Sequence, residues 1–160
     1  MADRIVIMDA GRVMQAGPPE DVYNRPNSSF VASFMGAGNA IRLSARPEGG
    51  AFVIDGGPHN TRLRLDPGVP GLPAGHAGPV LVHFRSESAA LGAPDTDLEG
   101  QLVLRGTITQ ASYPGGHYRY AVGVGELQVM VDDKRRHSVG AAVGIHLPAE
   151  SLYLFPDQDQ

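Results

Sequence analysis

From Ile41 onward, apolar residues recur at every second position, and no stretch of that region keeps a helical period. A period of two puts side chains alternately on the buried and the wet face of a sheet. Phe52 and Ile54 share a face, as do Leu63 and Leu65, with Arg62 and Arg64 opposite. Val80, Val82 and Phe84 oppose Leu81, His83 and Arg85; Leu102, Leu104 and Ile108 oppose Arg105, Thr107 and Thr109. Tyr118, Tyr120, Val122 and Val124 form another set, followed by Leu127, Val129 and Val131, by Ile145 and Leu147, and by a last strand over Leu152 to Phe155. The dispersed 21 glycines and 13 prolines supply turns, expected at Gly56-Gly57, Pro114-Gly115-Gly116, Gly125-Glu126 and Asp132-Asp133. Many short strands without a long helix predict a mainly β fold, a small barrel or sandwich, and closure of the sheet would hide its edges.

The first forty residues follow another pattern. Ile5-Val6-Ile7-Met8, then Asp9-Ala10-Gly11-Arg12 and Val13-Met14-Gln15-Ala16-Gly17, predict a β-hairpin with Gly11 at positive φ. Pro18-Pro19-Glu20-Asp21 opens a helix, since proline suits the first position and acids suit the positive end of the dipole; Arg25-Pro26 ends it. Asn27 or Ser28 can cap a second helix whose apolar stripe is Phe30, Val31, Phe34 and Met35, and Gly36 stops it. Because this stripe cannot face water comfortably, it is expected to pack on the barrel or on a second copy of the chain. A lone hairpin and two short helices are too few to make a core of their own.

These residues carry a family resemblance. Ala2-Asp3-Arg4-Ile5-Val6-Ile7-Met8, Gly11-Arg12, Gln15-Ala16-Gly17-Pro18-Pro19-Glu20, Val22-Tyr23, Arg25-Pro26, Phe30-Val31-Ala32, Phe34-Met35-Gly36 and Asn39 run in order over about forty residues. The set resembles the exit from the nucleotide-binding domain of ABC importer ATPases that carry a C-terminal TOBE domain. Further on, Arg85-Ser86-Glu87 is similar to that family's Arg-Pro-Glu, and Glu99-Gly100 to the start of its next strand. Ser112-Tyr113-Pro114-Gly115-Gly116-His117-Tyr118-Arg119-Tyr120 resembles its tyrosine hairpin, and Val139-Gly140 with Leu152-Tyr153-Leu154-Phe155 resembles its ending. Ser86 departs from the usual proline, which implies a less rigid strand exit.

The resemblance implies two parts: residues 1–41 as the end of the ATPase domain plus linker, and residues 42–160 as a TOBE domain, an OB-type barrel. It implies a regulatory, dimer-stabilising role in an importer of a small solute, with ferric iron or a polyamine favoured over sugars. It also implies a second copy of the chain and permease subunits as partners, and a cytoplasmic, peripheral place on the inner face of the membrane. The candidate dimer or packing interface comprises Phe30, Val31, Phe34, Met35, Tyr113, Tyr118 and Tyr120, and the family-motif positions are Arg85, Glu87, Gly100 and Gly115.

ATP chemistry is not expected from this stretch itself. No G-x-x-x-x-G-K-[ST] loop occurs to cradle phosphates, no LSGGQ-type signature, and no apolar run ending in Asp-Glu to hold Mg²⁺. The family's switch histidine would lie upstream of Ala2. ATP and Mg²⁺ are therefore expected in the parent subunit, with no catalytic, cofactor or metal residue here. The zero cysteines exclude disulfides and thiolate metal sites.

The remaining features read more simply. The six histidines, His59, His76, His83, His117, His137 and His146, show no ligand spacing and are expected at the surface. Asp95, Asp97 and Glu99 lack EF-hand spacing and read as a polar loop; Gly36-Ala37-Gly38 reads as a helix stop. Lys134-Arg135-Arg136-His137 is the only basic run and is expected as a solvated turn. The rival reading is a free-standing OB-type module for a small anion or nucleic acid. Nucleic acid is disfavoured by the net charge of −4, the absence of tryptophan and the 6% aromatic content.

Overall fold

The computed structural model describes residues 3–55, 62–66 and 71–157. The N-terminal hairpin forms as expected, with β1 (Ile5–Asp9) and β2 (Arg12–Gly17) joined by Ala10 and Gly11, both at positive φ. That conformation matches the right-handed twist of the strands it joins. Helix α1 (Pro19–Asn24) starts at a proline, and α2 (Ser29–Phe34) is capped by the Ser28 hydroxyl, which accepts from the Val31 amide at 3.2 Å. Ile7, Val22 and Val31 close a small core beneath hairpin and helices, with Ile5, Met14 and Met35 packed on it.

The alternating region becomes β3 (Asn39–Glu48), β4 (Ala51–Asp55), β5 (Arg62–Leu65), β6 (Gly78–Phe84), β7 (Ala90–Gly92), β8 (Gln101–Ser112), β9 (Tyr118–Val124), β10 (Leu127–Asp133), β11 (Ala142–Pro148) and β12 (Tyr153–Pro156). They form two antiparallel five-stranded sheets, in the orders β12-β6-β3-β4-β5 and β10-β9-β8-β11-β7. One hydrophobic core lies between them. Ile54, Leu63, Val80, Val82 and Phe84 from the first sheet meet Leu102, Leu104, Ile108, Val122, Val131 and Ile145 from the second. Each such fully buried aliphatic side chain is worth roughly 1.5–3 kcal/mol over its exposed state, so this seam dominates the stability of the fold. The result is a mainly β, OB-like architecture preceded by a hairpin and two short helices.

Three expectations are corrected. Asp132 and Asp133 are the last residues of β10, paired with Arg119 and Tyr118 of β9, and not a turn. Arg119 and Arg135 neutralise the two carboxylates, which removes the reason for the chain to turn there. The histidines are not all at the surface: His83 and His146 are buried on β6 and β11. Strict alternation also fails where both faces are covered, as at Leu102-Val103-Leu104 and over Val143 to Leu147. The Gly56-Gly57 turn and His59 lie outside the described residues. At the helix stop, Gly36 has φ +99°, as its place after α2 requires.

Candidate functional site

The main polar junction of the molecule forms where the helical segment meets the first sheet, and Arg85 is its centre. Strand β6 runs core residues Val80, Val82 and Phe84 inward, so His83 and Arg85 point to the opposite face. On that face lie α1, α2 and the Gly36 stop. The Arg85 guanidinium donates from Nη1 to the Met35 carbonyl and from Nη2 to the Tyr23 carbonyl at 3.0 Å. It stacks on the Tyr23 ring at 3.6 Å and lies 5.6 Å from the Tyr153 ring of β12. Arg85 is only 5% exposed, so one buried cation ties the ends of both helices to the sheet. A Cβ at Gly36 would approach Arg85 Nη1 to 2.9 Å, so the stop residue is small for reasons of space as well as φ.

His83 reinforces the same junction. Its Nδ1 lies 2.9 Å from the Ala37 carbonyl and its Nε2 lies 2.7 Å from the Ser29 hydroxyl. Since Ala37 can only accept, Nδ1 carries the proton and Nε2 accepts from Ser29, which satisfies the neutral ring completely. Phe155 meets the ring edge-on at 5.6 Å. Burial pushes the His83 pKa down, partly countered by the Ala37 bond. Asn39 then joins the two sheets: its Nδ2 donates to the Met130 carbonyl and its Oδ1 accepts from the Met130 amide, both at 2.8 Å. The side chain pairs the β10 edge as a strand backbone would.

Ser86, where the family resemblance expects proline, opens a short 3₁₀ turn over Ser86–Ser88. Its hydroxyl donates to Asp132 Oδ2 at 2.9 Å and lies 3.3 Å from Glu87 Oε2. The serine therefore anchors the strand exit to β10, by a bond that proline could not make. Asp132 also takes two bonds from Arg119, Nε at 2.8 Å and Nη2 at 3.2 Å. The Arg119 bond, with help from Ser86, holds its carboxyl below the usual range despite burial.

The tyrosine hairpin builds a second feature. Tyr113 leans on Tyr118 at 5.0 Å, Tyr118 stacks on Tyr120 at 5.9 Å, and Tyr120 meets His137 edge-on at 5.4 Å. The ladder runs from an exposed ring at Tyr113 to a fully buried one at Tyr120. The Tyr120 hydroxyl donates to the Arg135 carbonyl at 2.9 Å and accepts from the His137 amide at 2.7 Å. Asp133 holds the same loop, accepting from the Arg135 amide at 2.8 Å and from its guanidinium, while the Leu91 amide donates to it at 3.2 Å. Burial alone raises the Asp133 carboxyl pKa, but these bonds together hold it below the usual range.

The sequence candidates therefore separate. Val31 is fully buried and Met35 half-buried, whereas Phe30 and Phe34 stack on each other at 6.3 Å outside the core, with Phe34 65% exposed. The stripe splits because α2 is only six residues long and turns its Val31–Ala32 side to the body of the protein. Tyr113, Tyr118 and Tyr120 are brought together, far in sequence from the phenylalanines. Gly100 and Gly115 take positive φ in turns, with open space around them. Glu87 is exposed beside Ser86. The basic run divides: Arg135 is bound to Asp133 and to the Leu91 carbonyl, while Arg136 is exposed. His83, Ser29 and Tyr23 were not singled out as site residues from the sequence; the available signal was a histidine on the face of β6 opposite Val82. Among the described residues no three His, Asp or Glu side chains are grouped to hold a metal ion, and no helix is long and apolar enough to cross a membrane.

Comparison with known proteins gives this geometry a family. The TOBE domain model matches residues 82–155, from mid-β6 to β12. The spermidine/putrescine import ATP-binding protein PotA of Borreliella afzelii (strain PKo) is 32% identical over 154 residues, 96% of this chain and 40% of that protein. The sn-glycerol-3-phosphate import ATP-binding protein UgpC of Jannaschia sp. (strain CCS1) is 40% identical over 87 residues, 54% of this chain and 23% of that protein. The chain thus spans two fifths or less of the length of these relatives. Among solved structures, the molybdate-bound form of the cytoplasmic molybdate-binding protein ModG is similar in fold, with a TM-score of 0.54 at 13% identity, covering 74% of this chain and 96% of that one. Two OB-like sheets with a TOBE match follow a hairpin-and-helix segment that aligns with import subunits: the chain carries a TOBE domain and is homologous to the C-terminal part of ABC importer ATP-binding subunits.

Proposed function

We propose that this chain is the regulatory and dimer-stabilising C-terminal portion of an importer's ATP-binding subunit, residues 1–41 being the end of the ATPase domain and the linker and residues 42–160 the TOBE domain. The observation that carries this reading is the Arg85 junction. It fixes the end of the helical segment to the first sheet through two carbonyls and a ring, so a movement of one displaces the other. ATP and Mg²⁺ would be handled by the parent subunit, with permease subunits as its membrane partners and the cytoplasmic face as its place. A small solute is the cargo. The identity to a spermidine/putrescine subunit over nearly the whole chain supports a polyamine, and a similar identity to an sn-glycerol-3-phosphate subunit over the same span supports a phosphorylated solute; ferric iron has no such support.

A second copy is the expected direct partner. The exposed Phe30–Phe34 pair is an apolar feature of the helical segment and supports self-association there. Sedimentation equilibrium of the full chain should show a concentration-dependent species at twice its 16.9 kDa mass. Phe34→Glu should remove that species while leaving the circular dichroism spectrum unchanged, because Phe34 is outside the core. A monomer at every concentration up to the millimolar range would count against the dimer-stabilising role.

A further inference from the structure

A cleft of about 590 Å³ opens between the end of β8, the start of β9 and the loop after β10, lined by Ser112, Tyr113, Tyr118, Arg136, Ser138 and Val139 among others. We propose that it binds a planar aromatic anion about the size of a nucleoside monophosphate. The volume lies in the range of small-molecule sites, and one wall is the tilted Tyr113–Tyr118 pair, whose outer ring is 61% exposed. Such a ring with an open face is a stacking platform for another flat π system.

The charge of the cleft comes from one residue. Among the described residues no carboxylate lines it. The neighbouring arginines are committed, Arg119 to Asp132 and Arg135 to Asp133, and His137 turns its Nε2 toward Asp133 at 3.4 Å. Arg136 alone of the three arginines makes no hydrogen bond or ion pair among the described residues, and it faces the cleft. A guanidinium presents a planar fork that suits phosphate and carboxylate oxygens. The Ser138 hydroxyl adds a neutral donor to the same wall, whereas the Ser112 hydroxyl already donates to the Arg119 carbonyl at 3.5 Å.

The cleft is also held in shape before any ligand arrives. Residues on both sides of Arg136 are pinned: Arg135 by Asp133 and by the Tyr120 hydroxyl, and His137 by the same hydroxyl through its amide. Tyr120 is fully buried and lies under Tyr118, so the buried end of the tyrosine ladder fixes the backbone that presents the cation, and the exposed end supplies the platform. Fixing the site in advance lowers the ordering cost of binding. The assignment does not rest on the importer reading.

Adenosine 5′-monophosphate is the probe, titrated into the full chain by calorimetry, with amide chemical shifts followed by NMR. Binding should shift residues 111–113, 118 and 136–139 and leave the Arg85 junction unmoved. Arg136→Gln should weaken it at least about tenfold, the loss expected for a charge-assisted contact. Tyr113→Ser should weaken it about fivefold or more, the loss expected for one stacked base. Both side chains are exposed, so both variants should keep the wild-type amide spectrum away from the cleft. Adenosine and inorganic phosphate should each bind much more weakly than the probe. No binding at millimolar probe overturns the proposal, as does unchanged affinity in Arg136→Gln, or phosphate alone matching the probe. Tighter, steeply salt-dependent binding of a short oligothymidylate would replace a small anion by a single strand and overturn it too.

Discussion

A guanidinium does at Arg85 what no other side chain can. It serves one carbonyl in α1, another just past the end of α2 and a tyrosine face at once, with a planar group that is only 5% exposed. Lysine offers one tetrahedral nitrogen and no stacking plane. Arg85→Met should destabilise the chain by about 2–4 kcal/mol, because the part-buried Tyr23 and Met35 carbonyls lose a charged partner and the Tyr23 ring loses its stacked cation. Arg85→Lys should recover less than half of that loss. Urea unfolding measures both values. Hydrogen exchange should show the added opening at residues 19–38 first, while the amides of β8 and β9 keep their protection. Equal loss of protection throughout would mean that Arg85 supports the core and not the junction. The position was legible as a family motif; the role was not, because its partners Tyr23 and Met35 lie 62 and 50 residues away.

Asn39 completes a sheet edge. Strand β10 is an edge of the second sheet, and its Met130 amide and carbonyl are paired by the Asn39 side chain at the start of β3. Asn39→Ala should cost about 1–2 kcal/mol in urea unfolding, two hydrogen bonds lost at a site that water can partly reach. Asn39→Asp should cost no less, since a carboxylate can accept from the Met130 amide but cannot donate to its carbonyl. At this scale most of the fold was legible. Period-two runs around Val80 to Phe84, Leu102 to Ile108 and Tyr118 to Val124 each became a strand, since one-sided burial writes itself into the sequence as alternation. The failures share a cause. His83 looked like a wet-face residue of β6, but α2 covers that face. Asp132-Asp133 looked like a turn, but Arg119, Arg135 and Ser86 supply the charge and bonds that let a strand end on two acids. The tyrosine cleft was legible as nearby tyrosines and a separate basic run; that the loop after β10 brings Arg136 beside Tyr113 and Tyr118 was not. Alternation reports which face is buried by the sheet's own core, and it is silent about what a distant segment adds to the other face.

For the whole molecule, the same long-range contacts set how stability responds to acid. His83 is neutral in the fold, with its pKa held below the ordinary 6.5 by burial. Below that value the unfolded chain takes up a proton that the folded chain refuses, so stability rises with pH there and falls on acidification. This contribution is complete above pH 6.5 and declines as pH drops from 6.5 toward the folded value. Asp132 and Asp133 behave oppositely in chemistry but alike in sign. Their folded pKa values are depressed below the ordinary 3.8, chiefly by the Arg119 bond for Asp132 and by the summed Arg135 and Leu91 bonds against burial for Asp133. Their stabilisation is present above pH 3.8 and is lost as pH falls through the folded values. Urea midpoints measured from pH 8 to pH 2 should therefore fall in two stages, one starting near 6.5 and one below 3.8. His83→Gln should remove the first stage and leave the second, since glutamine keeps polar atoms toward Ser29 and Ala37 without a titrating ring. Because His83 bonds to both ends of the α2 segment, the first stage should coincide with increased hydrogen exchange at residues 29–38. A first stage that survives His83→Gln unchanged would move the acid sensitivity away from the junction.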